Sequence, residues 1–158
     1  SELAIRNWPG SFSVHAEDMA IQSTRYLQFQ DITEAANDIV DDSGITHGMV
    51  NIQTCHTTAA LLVNENESLL LDDLRDTLDR VASPGELYRH NDFSLRKENM
   101  MPGESENGHS HCQAMLLPTS QCLNIVRSRI QLGRWQRIFF IELDGARERT
   151  ISIVVMGV

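Results

Sequence analysis

Residues 137–145 constrain the fold most strongly, with the sequence Arg137-Ile138-Phe139-Phe140-Ile141-Glu142-Leu143-Asp144-Gly145. Successive side chains of an extended chain point to opposite faces, so Ile138 and Phe140 lie on one face and their apolar neighbours on the other. A strand that is apolar on both faces is typical of the centre of a sheet, where both faces are covered. The Asp-Gly pair that follows is a strong signal for a hairpin turn. We therefore predict a central strand over 137–143 and a hairpin into a strand over 149–157.

Hydrophobic alternation predicts further strands on the N-terminal side of this segment. Residues 49–54 alternate strictly, and 59–63 form a short apolar run of the kind that a buried strand shows. Other segments with strand-like composition lie at 11–17, 24–30, 121–127 and 129–143, the last with a kink at Gly133.

Two longer helices and one short helix are predicted between these strands. The first begins with Asp31 as its N-cap, in a capping-box-like pattern, and ends at Gly44, a natural C-terminal stop. The second is capped by Asn66, and its buried stripe comprises Leu70, Leu71, Leu74, Leu78 and Val81. The short helix spans 110–117. Residues 84–108 lack periodicity, and a loop of this length in a compact domain is usually functional or disordered.

This order of elements predicts one compact α+β domain over residues 1–158, built from antiparallel or mixed β-sheet layers with the helices against one face. A length of 158 residues fits a single domain. No run of about 18 apolar residues is present, so we expect no transmembrane helix. Residues 1–6 do not resemble a signal peptide. Three cysteines without a C-x-x-C motif favour a reduced, cytoplasmic protein.

The charge distribution argues against nucleic acid as a partner and for a small anion. The net charge is −9, whereas nucleic-acid binding needs a basic surface. Even so, six of the 13 basic residues lie within 127–149, and all six are arginine. Arginine suits bidentate binding of carboxylate or phosphate. The alternative is a solvated hairpin with alternating surface charge.

Polar residues at 54–67 supply candidate groups for chemistry. His56, Thr57 and Thr58 follow the predicted strand 49–54, at a strand end where functional side chains are often held. Glu65 follows the next apolar run and is a candidate general base or metal ligand. Each has a structural alternative, since His56 can bond to the backbone and Glu65 can stabilise the helix dipole.

A second polar group, Asn107-Gly108-His109-Ser110-His111, precedes the short helix. Two histidines two residues apart diverge on a helix, so we expect only one of them to face a site. The spacing is a weak metal signal, and stronger zinc motifs are absent from the sequence. His90 is a third candidate site histidine if the loop that contains it folds back toward the other two polar groups. Cys55 is a poor nucleophile candidate because it points away from His56 on an extended chain.

Taken in order, six motifs of this chain resemble the YjbQ-like family, also called the secondary thiamine-phosphate synthase family. They span about 47–150 and are 53–61, 64–67, 88–91, 107–111, 132–138 and 142–147. The resemblance implies an α+β homotrimer with weak thiamine-phosphate synthase activity. In that reaction a thiazole phosphate attacks a pyrimidine methyl pyrophosphate, and pyrophosphate leaves.

The resemblance also implies a site. The catalytic residues would be His56, Glu65 and His111, and the same three side chains would hold a divalent metal, zinc or magnesium. The residues that bind the substrate or its phosphate would be Thr57, Thr58, Asn64, Asn107, Gln136, Arg134 and Arg147. Arg134 departs from the family pattern, in which threonine is common at this place.

Three other functions use the same residues. A metal-dependent hydrolase would use the His/Glu cluster to activate water on a small phosphorylated or acyl substrate. A non-catalytic module would bind an anionic metabolite without turnover. A purely structural trimer would use the polar residues at its interfaces.

Overall fold

A computed structural model describes residues 8–158, so the sequence prediction made for 1–6 lies outside the described residues. The elements are strands β1 Ser13–Gln22, β2 Gln28–Asp31, β3 His47–Thr54, β4 Ala59–Glu65, β5 Ser120–Val126, β6 Arg129–Ile130, β7 Gln136–Glu142 and β8 Glu148–Gly157. The helices are α1 Thr33–Ser43, α2 Ser68–Val81 and α3 Gly108–Ala114, with a 3-10 turn at Arg89–Asn91. None of the helices in residues 8–158 has the length and apolar character needed to span a membrane.

The strands form two antiparallel sheets, which confirms the predicted α+β class. The larger sheet has the order β1-β8-β3-β5-β6, and the smaller has the order β2-β7-β4. β7 lies in the middle of the smaller sheet, as its two apolar faces predict. Ile138 and Phe140 pack in the main core with the larger sheet and α1. Phe139 and Ile141 pack in a second core beside Leu78 of α2.

The predicted hairpin at Asp144-Gly145 is wrong. β7 is hydrogen-bonded to β2 on one side and to β4 on the other, so it has no free edge for the strand that follows. β8 pairs instead with β1 and β3 in the larger sheet. Residues 143–147 therefore carry the chain from one sheet to the other. The predicted kinked strand 129–143 is likewise two strands, β6 and β7, which lie in different sheets.

The helix boundaries differ from the predictions in their caps. Glu67, not Asn66, caps α2, and its carboxylate accepts hydrogen bonds from the backbone N–H groups of Leu69 and Leu70 at 3.0 and 2.8 Å. The Asn66 amide donates to Asp31 instead. Gly44 ends α1 in the left-handed conformation, with φ of 70°, as predicted. Val81 of the predicted buried stripe is 59% exposed.

Candidate functional site

Three connecting segments meet at one end of the two sheets and line an open cavity of about 1090 Å³. They are the β3–β4 turn at 55–58, the long segment at 89–107 and the crossover between β7 and β8. Of the residues predicted for the site, six line the cavity, namely His56, Thr57, Thr58, Asn107, His111 and Arg147. The lining also contains three arginines that the sequence analysis did not assign to a site, Arg89, Arg96 and Arg149.

His56 is held by the backbone of β8. Its Nε2 accepts a hydrogen bond of 2.9 Å from the backbone N–H of Thr150. An imidazole nitrogen that accepts a hydrogen bond carries no proton, so the proton of the neutral ring lies on Nδ1. Burial lowers the pKa of His56, and the guanidinium of Arg149 lowers it further. His56 is therefore a neutral ring whose remaining polar group, Nδ1–H, is a donor.

A buried ion pair forms the floor beside His56. Arg149 and Glu142 are 4% and 0% exposed, and Nη2 and Nε of Arg149 donate to the two carboxylate oxygens at 2.5 and 2.7 Å. Nη2 also donates to the hydroxyl of Thr58 at 3.0 Å. Ser23 donates to the same carboxylate at 2.8 Å. Glu142 lies inside the apolar strand predicted over 137–143, and a buried charge needs a buried partner. That position of Glu142 is the feature of the sequence that could have indicated a buried ion pair.

The crossover between β7 and β8 adds a second ion pair. Nη2 of Arg147 lies 2.9 Å from Oδ2 of Asp144, whose side chain is only 7% exposed. The side-chain amide of Asn107 donates to the same oxygen at 2.8 Å. The backbone N–H of Asp144 donates to Glu142 at 3.0 Å. Both ion pairs thus belong to one connected network behind the cavity wall.

The segment at 89–107 folds back over the cavity. Within it, Arg96 forms an ion pair with Glu104, and the Arg96 guanidinium lowers the pKa of Glu104. His90 lies at the 3-10 turn with its ring centroid 4.7 Å from that of His111. Burial lowers the pKa of His111, and the neighbouring His90 lowers it further. His109 does not line the cavity, and its ring packs edge-on against Tyr26 at 5.2 Å.

The other predicted site residues, Asn64, Glu65, Arg134 and Gln136, lie at the opposite end of the smaller sheet. Glu65 pairs with Gln136 there, whereas Ala59 pairs with Glu142 at the cavity end. The seven residues of β4 from Ala59 to Glu65 span about 20 Å of extended chain. The Gln136 side chain accepts a hydrogen bond of 2.7 Å from the backbone of Gly133, and Arg134 stacks on Trp135. One subunit therefore does not bring Glu65 to the cavity.

The predicted metal ligands do not fit a metal site within one chain. Nε2 of His56 is already used by Thr150, and Glu65 is remote from His111. Among residues 8–158, no group of three or more His, Cys, Asp or Glu side chains is placed to hold a metal ion. His56, His111 and Glu65 are therefore not ligands of a common ion within this chain.

The cavity wall suits an anion. Four arginines and two glutamates line it, although the whole chain carries a net charge of −9. The carboxylates of Glu142 and Asp144 lie behind Arg149 and Arg147, outside the lining. Within the described residues, Arg89 has no carboxylate within the 4.0 Å of an ion pair. A ligand in the cavity therefore meets more guanidinium groups than carboxylates, together with the imidazole rings of His56, His90 and His111.

Comparison with known proteins agrees with this architecture. The family model described as "UPF0047 protein YjbQ-like" matches residues 17–158. A UPF0047 protein of Methanothermobacter thermautotrophicus is 34% identical over 144 residues, which cover 91% of this chain and 93% of that protein. The UPF0047 protein YugU of Bacillus subtilis is 33% identical over 141 residues, covering 88% and 97%.

Solved structures show the same fold. A YbjQ-like protein of unknown function from Sulfolobus solfataricus superposes with a TM-score of 0.83 at 30% identity, covering 94% of this chain and 100% of that one. A hypothetical protein from Aeropyrum pernix gives a TM-score of 0.79 at 30% identity, covering 91% and 99%. The chain therefore belongs to the YjbQ-like UPF0047 family.

Proposed function

We propose that the cavity binds a small phosphorylated metabolite and that the protein is a transferase of the secondary thiamine-phosphate synthase type. The observation that carries this proposal is the wall of arginines and the His56 Nδ1–H donor in an otherwise acidic chain. Guanidinium groups bind phosphate oxygens in pairs of parallel hydrogen bonds. A volume of about 1090 Å³ leaves room for two small substrates side by side.

The reaction matches the groups that this wall offers. The thiazole nitrogen forms a bond to the methylene carbon of the pyrimidine, and the C–O bond to pyrophosphate breaks with its electron pair on the leaving oxygen. No proton has to be removed from the attacking nitrogen, so the site needs no general base. Donors aimed at the leaving group stabilise the charge that develops there. Arg89, Arg147 and His56 line the cavity and are our candidates for this role, whereas the guanidinium of Arg149 is already paired with Glu142.

We also propose a homotrimeric assembly. On the outer face of the larger sheet, Met156 of β8 pairs with Val14 of β1 and with Met49 of β3. Val14 and Met49 are 60% and 42% exposed, so an apolar row crosses three neighbouring strands and no helix within residues 8–158 covers it. Such a row is typical of an interface. Three free cysteines, Cys55, Cys112 and Cys122, support a cytoplasmic location.

The direct test is formation of thiamine phosphate from the two phosphorylated precursors, with pyrophosphate release followed in parallel. We expect turnover by the wild type, at least a tenfold loss in Arg89→Ala, and none of that loss in Arg129→Ala, a matched arginine whose side chain is 59% exposed outside the cavity. If the wild type binds the precursors but releases no pyrophosphate, the transferase proposal is wrong and the protein is a binding module.

A further inference from the structure

We propose that the side-chain oxygen of Asn107 accepts a hydrogen bond from a hydroxyl or amino group of the ligand, next to the phosphate-binding wall. We call this position the acceptor subsite. The ligand class is therefore a phosphorylated alcohol or amine rather than a plain phosphate ester. This inference rests on the proposed phosphate binding. It gives Asn107 a role different from the phosphate contact that the family resemblance implies.

The first observation is that Asn107 does not cap its own helix. It occupies the N-cap position of α3, where asparagine normally accepts hydrogen bonds from the first turn. Its side chain makes no capping hydrogen bond. The amide nitrogen instead donates to Oδ2 of Asp144 over 2.8 Å. Helix capping therefore does not account for this side chain.

The second observation is an unused acceptor. Asn107 is 8% exposed and lines the cavity, and its Oδ1 is buried without a hydrogen-bond partner among the described residues. A buried acceptor left unpaired destabilises the folded protein, because it has given up its hydrogen bonds to water. A donor on a bound ligand would remove that cost. Nε2 of His90, another lining residue, is a second buried polar atom without a partner.

The orientation of the amide is fixed by charge. Asp144 is held by Arg147 at 2.9 Å, and its own backbone N–H is held by Glu142 at 3.0 Å. A flipped Asn107 amide would place its oxygen against the Asp144 carboxylate, which is unfavourable because both groups are acceptors. The subsite is therefore an acceptor only, and it selects ligands that carry a donor.

Matched ligand pairs test the inference. We would measure the Kd of ω-hydroxyalkyl phosphates of two to four carbons by calorimetry, each against the alkyl phosphate in which methyl replaces the hydroxyl. The two members of a pair have the same charge and nearly the same size. For at least one chain length we expect the wild type to prefer the hydroxyl compound by about five- to tenfold, the value of one hydrogen bond.

The variants separate this subsite from the phosphate wall. Asn107→Ala should bind both members of the pair equally, whereas Asn124→Ala, an exposed asparagine on β5, should keep the preference. If Asn107→Ala does not fold, Asp144→Asn replaces it in the test. This substitution keeps the shape of the side chain but permits the Asn107 amide to flip, so it should reduce the preference for the hydroxyl compound. Equal binding of every pair by the wild type, or a preference that persists in Asn107→Ala, overturns the inference while leaving phosphate binding intact. Failure of every phosphate to bind overturns the proposed function and this inference with it.

Discussion

The backbone N–H of Thr150 donates a hydrogen bond of 2.9 Å to Nε2 of His56, and this contact decides what the histidine can do. The hydrogen bond occupies the lone pair of Nε2, which would otherwise be free to bind a metal ion or accept a proton. It also fixes the tautomer, so Nδ1 keeps its proton. His56 is then a hydrogen-bond donor to an anion, and neither a metal ligand through Nε2 nor a general base through that atom.

Two substitutions of His56 distinguish the role of Nε2 as an acceptor from the role of Nδ1–H as a donor. In His56→Gln the side-chain oxygen can replace Nε2 as the acceptor for Thr150, but the donor at Nδ1 is lost. In His56→Asn the amide nitrogen can replace the Nδ1 donor, but the contact to Thr150 is lost. We expect His56→Gln to keep the wild-type melting temperature and to lose at least tenfold in phosphate-ester affinity.

The asparagine variant should show the opposite pattern, with a lower melting temperature and much of the affinity retained. Calorimetric binding of an alkyl phosphate and thermal unfolding of the same preparations give both readouts. Wild-type affinity in His56→Gln would contradict the donor role.

The stability of the protein should depend on pH through its histidines. Burial lowers the pKa values of His56, His109 and His111 in the folded chain below their ordinary value of 6.5. The unfolded chain then binds more protons than the folded chain just below that pH, so acid favours unfolding. We expect the free energy of unfolding to be fully present above about pH 6.5 and to fall as the pH drops below it.

Urea unfolding at intervals between pH 7.5 and 5 measures this dependence. His56→Gln should flatten the slope, because one of the three shifted groups is gone. An unchanged slope in that variant would show that His56 does not contribute, whereas loss of stability only below pH 4 would assign the effect to carboxylates such as Glu104, whose pKa is also lowered.

The fold was largely predictable because hydrophobic periodicity reports burial. The two apolar faces of 137–143 placed β7 at the centre of a sheet, and Gly44 marked the end of α1. Turn chemistry at Asp144-Gly145 is a local signal, and it could not show that both edges of β7 were already occupied by β2 and β4. Which strands pair depends on contacts between residues distant in sequence, and a local motif does not contain them.

The candidate site was predictable in part, from the polar motifs that lie in its connecting segments. The H-T-T motif at 56–58 and His111 do line the cavity. The family resemblance grouped Glu65 with His56, but the intervening strand β4 carries Glu65 to the far end of the sheet. Arg149 of β8 was missed because its role depends on Glu142 of β7, a strand of the other sheet.

Loss of one partner of the buried pair Arg149–Glu142 should destabilise the fold strongly. Removing one charge leaves the other buried and uncompensated, which costs about 3–5 kcal/mol in proteins. We expect Glu142→Gln to lower the free energy of unfolding by that amount, measured by urea denaturation. The double variant Glu142→Gln/Arg149→Met should recover part of the loss, because no isolated charge remains. If the double variant is less stable than Glu142→Gln alone, the loss is not caused by an unpaired guanidinium.

The apolar row on the larger sheet should determine the assembly. Met49 is 42% exposed and lies beside Met156, so a carboxylate at this position would have to be desolvated in an interface between copies. We expect the wild type to elute with a light-scattering mass three times that of the 17.8 kDa chain and Met49→Glu to elute as a monomer. Leu87→Glu is the matched control, because Leu87 is fully exposed in the loop after α2 and lies outside the row. A monomeric wild type, or a trimer that persists in Met49→Glu, would exclude this face as the trimer interface.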